Sequence, residues 1–220
     1  MSIRPRQLAL VLDHGESFAR EDFLSGPCNE AAFRLMDCWP DWPANAIALI
    51  GPAGSGKTHL AMMWAEAAGA RVIAGRNLSE AELPAALATG ALLVEDAAAA
   101  EQLPLFHLIN LAREEKAFLL LTARMPPASW PVEIPDLVSR LRAMPLATLT
   151  VPDDAMLRAV IVKLAADRQL PLDESAVAYV STRIERSFAA ARAAISALDN
   201  EALRQKRAPT RALAAELFRD

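Results

Sequence analysis

Lysine, cysteine and glycine are scarce in this sequence, and each scarcity closes off a class of protein. Lys57, Lys116, Lys163 and Lys206 are the only lysines among 23 basic residues; the others are arginines dispersed along the chain, and 27 acidic residues leave a net charge of −4. Such a balance makes no global basic field to draw the chain onto nucleic acid or an anionic membrane. Cys28 and Cys38 stand ten residues apart with no Cys-x-x-Cys and no histidine pair nearby. That argues against a disulfide framework or a zinc site and for two reduced thiols in a cytoplasmic protein. No apolar run approaches the roughly 20 residues of a membrane span, and the N-terminus has no signal-peptide pattern. The expectation is a soluble, cytoplasmic protein without a membrane partner.

What the sequence does have is one phosphate-loop pattern, and the rest of the chain is arranged around it. Gly51-Pro52-Ala53-Gly54-Ser55-Gly56-Lys57-Thr58 follows the apolar run Ala46–Ile50 and opens the helical stretch that begins at His59. With only 8 glycines and four lysines in 220 residues, chance would assemble G-x-x-x-x-G-K-[ST] on the order of once in a few thousand sequences. Strand, glycine-rich turn and helix form a cradle in which backbone N–H groups and the positive helix end face phosphates. Lys57 is placed to reach the β- and γ-phosphates of ADP or ATP, and the Thr58 hydroxyl to hold Mg2+.

Length and a 53% hydrophobic content suit one α/β domain with a smaller one appended. We divide the chain into an N-terminal arm (1–15), a nucleotide-binding α/β core with a parallel sheet flanked by helices (16–151) and a small all-α lid (152–220). In the arm, Arg4–Leu12 is a short apolar stretch that fits an edge strand, a flap on the core or a plug for a pocket on another protein. In the core, Trp39-Pro40-Asp41-Trp42-Pro43 reads as a rigid connector. Further strands are expected at Ala70–Ile73, Ala91–Asp96, Ala117–Thr122 and Leu146–Val151. A helix over Glu80–Ala88 is expected to be capped by Ser79 with Glu82 completing a capping box. Leu103–Glu115 shows helical periodicity, with Leu105, Leu108, Ile109 and Ala112 on one face.

The strand ending in Glu95 and Asp96 places two carboxylates where a nucleoside triphosphatase needs one for magnesium and the next to orient water. Paired acids at the end of a buried strand are costly unless a cation or solvent receives them. Beyond Pro152 only helices are expected, over about 155–168, 174–185, 187–207 and 210–218, with Asp173 capping the second.

Several of these segments resemble the AAA+ ATPases of the DnaA replication-initiator group. Phe18–Asn29, with Gly26-Pro27-Cys28-Asn29 ahead of a helix, is similar to the segment that brings backbone near Leu24 and Ser25 against the adenine base in that group. Pro135–Leu141 resembles its box VII helix, which implies that Arg140 is an arginine finger; Arg142 is the weaker candidate, and a surface helix with locally paired arginines is the alternative. The sequence departs from the group in having Glu95 at the usual aspartate position, Asp96 at the usual base position and Arg124 in place of the sensor 1 acid after Thr122. Ala189 falls at the sensor 2 arginine, leaving Arg192, one turn on, as a substitute or a solvated residue.

Gln7, Leu8, Leu10 and Leu12 resemble the clamp-binding peptide of bacterial replication proteins. An initiator would continue into a helix-turn-helix domain, whereas this sequence stops at Asp220. The pattern is thus similar to the Hda family, DnaA-related regulatory inactivators of replication initiation. The resemblance implies an ADP-bound protein, able to pair as a homodimer, that rides on the DNA polymerase III sliding clamp (the beta subunit), meets DNA only through it, and presents Arg140 to ATP on DnaA. Two other readings stay open: a DnaA-like adaptor that does not stimulate hydrolysis, and a self-sufficient P-loop enzyme, either an ATPase of the helicase-loader type or a small-molecule kinase.

Overall fold

The computed structural model describes residues 20–218. Five parallel strands form one sheet in the order β2-β3-β4-β1-β5: β1 Ala46–Ile50, β2 Arg71–Ala74, β3 Ala91–Glu95, β4 Phe118–Ala123 and β5 Leu146–Thr148. The central strands β1, β3 and β4 are near-continuous apolar runs, as strands covered on both faces must be. Their side chains alternate between two cores. Ala48, Ile50, Leu92, Val94, Leu119 and Leu121 point to one, and Ile47, Leu49, Leu93 and Leu120 to the other.

Helices α3 (Leu83–Leu87), α4 (Gln102–Glu114) and α5 (Pro135–Ala143) cover the first face. Helices α1 (Glu30–Asp37) and α2 (Lys57–Ala68) cover the second. Trp42 stacks on Trp64 of α2 at 5.1 Å between ring centroids and donates its indole N–H to Leu35 O. The connector is therefore packed down, as its two prolines suggest.

Two sequence expectations need correction. The segment Glu80–Ala88 is not one capped helix: a 3-10 turn spans Glu80–Glu82, α3 begins only at Leu83, and the Ser79 side chain makes no capping hydrogen bond. Pro84 is the cause. In a continuous helix its ring would collide with the carbonyl of Glu80, so the helix restarts with proline in its first turn. The last strand is also shorter than expected. It runs beside β1 as far as the pair Ile50↔Thr148, where β1 turns into the phosphate loop and stops offering partners. The chain then turns its hydrogen bonds elsewhere, Thr150 N donating to Cys28 O at 2.9 Å.

The described residues form two compact units divided between Pro152 and Asp153. The second holds α6 (Asp154–Asp167), α7 (Glu174–Arg183), α8 (Phe188–Gln205) and α9 (Arg211–Leu217), and no strand. Its core is built from Leu157, Ile161, Val180, Ile195, Leu198 and Leu213. Three of its helix starts are fixed by side-chain caps: Asp153 accepts from Met156 N, Asp173 from Ala176 N and Ser187 from Ala190 N. Among the described residues, no helix is long and apolar enough to cross a membrane.

Candidate functional site

The order β3-β4-β1 sets three strand ends side by side, and in parallel α/β sheets the crevice beyond those carboxyl ends is where ligands sit. β1 delivers Gly51–Thr58, β3 delivers Glu95 and Asp96, and β4 delivers Thr122 and Arg124. The loop after β1 is locked to the end of β4 by Gly51 N donating to Ala123 O at 3.2 Å.

The loop has the shape of a cradle for backbone reasons. Gly54 and Gly56 hold φ of 71° and 89°, a region that favours glycine. A Cβ on Gly51 would lie 2.7 Å from Leu149 O and 2.9 Å from Ser55 Oγ, so the loop can pack on the strand end only with glycine there. Pro52 and Ala53 are exposed on its rim. Ser55 is 2% exposed, and its hydroxyl has no hydrogen-bond partner among the described residues.

Lys57 opens α2 and folds back over the loop, its Nζ donating to Gly51 O and Pro52 O, each at 2.7 Å. Burial pushes its pKa below the ordinary lysine value; Asp96 and Glu95 work against that shift and Arg124 adds to it. Lys57 is thus close enough to feel the charges of Asp96, Arg124 and Glu95. An orphaned buried hydroxyl, a loop that requires glycine at 51, 54 and 56, and a partly desolvated ammonium fit a bound polyphosphate. Thr58, exposed in the first turn of α2, and the half-buried Glu95 are the oxygen donors available to a cation.

The two acids are not equivalent. Glu95 ends β3, while Asp96 has already left the strand and sits at φ 50°, ψ 49°, in the left-handed region. Its backbone N–H donates to the hydroxyl of Thr122, which is 3% exposed, at 3.0 Å. Gly75 lies directly behind, where a Cβ would come 2.4 Å from Asp96 O. Thr122 thus fixes the turn that carries Asp96.

The segment ahead of α1 is fixed by Asn29, which is 2% exposed. Its Oδ1 accepts from Gly26 N at 2.8 Å and its Nδ2 donates to Leu24 O at 2.9 Å, so the backbone of Leu24, Ser25 and Gly26 is held in one shape. Phe23 lies against Phe33, centroids 5.1 Å apart, and edge-on to His59 of α2 at 5.5 Å. His59 thereby joins the phosphate loop to this segment. Asn29→Ala is expected to lower the stability of the core unit by about 1–3 kcal/mol, because two part-buried backbone groups lose their partners; a thermal or urea unfolding curve that matches wild type would contradict this.

Arg140 lies on α5, in the same unit as the loop, and is half-buried. Its guanidinium carbon lies 5.8 Å from the centroid of the Phe106 ring, and its buried Nε has no hydrogen-bond partner among the described residues. Arg142 is exposed. Arg192 belongs to α8 in the helical unit. Gln7, Leu8, Leu10 and Leu12 lie outside the described residues.

Local sequence reasoning named the cradle, the acids and Arg140, but gave no role to Asn29, Gly75, Gln102 or Phe106. Asn29 carried a usable signal, a Gly-Pro-x-Asn motif whose amide can bond back to the turn. The others work through partners far along the chain.

No known family profile and no curated protein sequence matches the chain. Solved structures do. Domain III of the Thermotoga maritima replication initiation protein DnaA superposes with a TM-score of 0.76 at 21% identity, over 92% of this chain and 96% of that one. AMPPCP-bound DnaA from Aquifex aeolicus gives 0.68 at 20% identity, over 84% and 68%. The Thermotoga maritima RuvB branch migration motor gives 0.65 at 18% identity, over 78% and 60%. At these identities the likeness speaks for the fold alone, a parallel α/β core of the kind found in DnaA domain III.

Proposed function

We propose that this chain binds ADP or ATP with Mg2+ in the Gly51–Thr58 loop and acts as a negative regulator of replication initiation, lending Arg140 to ATP held by a DnaA initiator, as the Hda inactivators do. In this reading Lys57 and the loop amides bind the phosphates, Thr58 and Glu95 hold the cation, and Asp96 stands at the position that orients water. The backbone of Leu24 and Ser25 with His59 borders the base, and Arg192 is the candidate contribution of the helical unit. When bound, the magnesium nucleotide supplies the charge that Lys57, Glu95 and Asp96 are arranged around. The glycine-rich loop with its orphaned Ser55 hydroxyl supports nucleotide binding. The fold shared with DnaA domain III, and the AMPPCP bound by the Aquifex DnaA, support the choice of nucleotide.

The observation that carries the regulatory half is Arg140. A half-buried guanidinium that rests on an aromatic ring, with an Nε that has no hydrogen-bond partner among the described residues, keeps donors for an incoming anion. The shortened second acid Asp96, displaced into a turn, and Arg124 in place of the sensor 1 acid support a chain that holds its own nucleotide and acts on a partner's. The deciding experiment measures ATP turnover by DnaA from the same organism, with DNA-loaded clamp, in the presence and absence of this protein. Stimulated turnover is the expected result; none would refute the reading.

The arm is assigned the contact with the sliding clamp, through Gln7, Leu8, Leu10 and Leu12, and DNA is reached through the clamp. Replacing Leu8 and Leu10 with alanine is expected to abolish clamp pull-down and leave ADP binding unchanged, since each buried leucine contributes about 1.5–3 kcal/mol. Undiminished pull-down would place the contact elsewhere.

A further inference from the structure

Helix α4 touches the α5 segment at two points that lie four residues apart and so share one helical stripe. Gln102, in the first turn of α4, accepts through Oε1 from Glu133 N at 2.8 Å and Ile134 N at 3.4 Å, the two backbone groups immediately before α5 begins at Pro135. One turn on, the half-buried Phe106 ring lies under the guanidinium of Arg140. The buried hydrophobic stripe of α4, Pro104, Leu105, Leu108, Ile109 and Ala112, lies beside them. Phe106 packs against the edge of that core. It and Gln102 also carry the contacts to the α5 segment.

We infer that Phe106 is a positioning residue for Arg140, holding the guanidinium by its ring face while Gln102 fixes where the finger helix starts. This rests on the reading of Arg140 as the group given to the partner's nucleotide.

Arginine has many rotamers and a charge that water or a chance carboxylate captures easily. An aromatic face binds a guanidinium without using its N–H groups, because the attraction comes from the ring quadrupole. A carboxylate at the same place would occupy the very donors that a phosphate needs. The ring leaves those donors free of a competing carboxylate while it restricts the guanidinium, and small misplacement of a group that stabilises a transition state can cost up to ~100-fold.

The test compares Phe106→Leu, which keeps apolar bulk but removes the ring, with Phe106→Tyr, which keeps the face. Two readouts are taken on the full chain. In the first, DnaA ATP turnover is measured beside Arg140→Ala as reference. Phe106→Leu is expected to lose stimulation by roughly 5- to 50-fold, Phe106→Tyr to keep it within about twofold, and ADP affinity to stay unchanged in both. In the second, NMR of the arginine side chains, the Arg140 resonances carry a ring-current shift in wild type and Phe106→Tyr and lose it in Phe106→Leu.

If Phe106→Leu stimulates like wild type, or Phe106→Tyr fails as badly as Phe106→Leu, the positioning role is overturned. If Arg140→Ala also stimulates like wild type, the regulatory reading itself has failed, and the NMR comparison still shows whether the ring holds the guanidinium.

Discussion

Arg140→Ala is expected to lower stimulated ATP turnover on DnaA by about 10³-fold or more, within the ~10³–10⁵ range of arginine fingers supplied in trans. Nucleotide binding by the chain itself should be unaffected. The size follows from where charge develops. A transferring phosphoryl group spreads negative charge over its oxygens, and a guanidinium delivered into a water-excluded interface stabilises it far more than the same charge does in water. Arg140→Lys keeps the charge but loses the planar fork and the broad face that stacks on Phe106, and should recover only a small part. Arg142→Ala is the internal control: that residue is exposed on the same helix and should leave stimulation near wild type. Turnover that stays undiminished in Arg140→Ala would show that Arg140 is not the finger.

The other large effect is expected at Lys57. Lys57→Ala should weaken ADP and ATP binding by at least ~100-fold in calorimetry, since one or two charge-assisted hydrogen bonds at about 1.5–3 kcal/mol each are removed. Without ligand, the ammonium is held in place by Gly51 O and Pro52 O and is partly desolvated. Phosphate oxygens would offer it a stronger partner than these carbonyls.

The pH dependence follows with its sign. Burial lowers the Lys57 pKa in the free protein, a bound polyanion raises it, and binding takes up protons in the window between the two. Affinity is therefore expected to decline as pH rises into the alkaline range through the lowered pKa, and the alanine variant should lose that part of the dependence. An affinity within threefold of wild type would remove the phosphate-loop lysine from the site.

Much of the core was legible because the signals that encode it are short-ranged. A buried parallel strand announces itself as an apolar run, a helix as a 3.6-residue stripe, a cap as Asp or Ser at the right offset; β1, β3, β4, α4 and the caps at Asp173 and the phosphate loop were all of this kind. Even the break within Glu80–Ala88 is legible, since Pro84 removes an N–H and its ring clashes with the preceding turn.

The amino-acid order by itself determined the element types, the phosphate cradle, and which acids and arginines were worth watching, because each depends on residues within a turn or two of one another. Tertiary structure alone decided that Asp96 turns out of its strand onto the Thr122 hydroxyl with Gly75 behind it, that Arg124 shares the charge environment of Lys57, and that Arg140 rests on Phe106 rather than on a carboxylate. These are meetings between segments far apart along the chain, brought together by strand order and helix packing. No local periodicity carries them, because the free energy that selects them is released only when the sheet has assembled and its faces are covered.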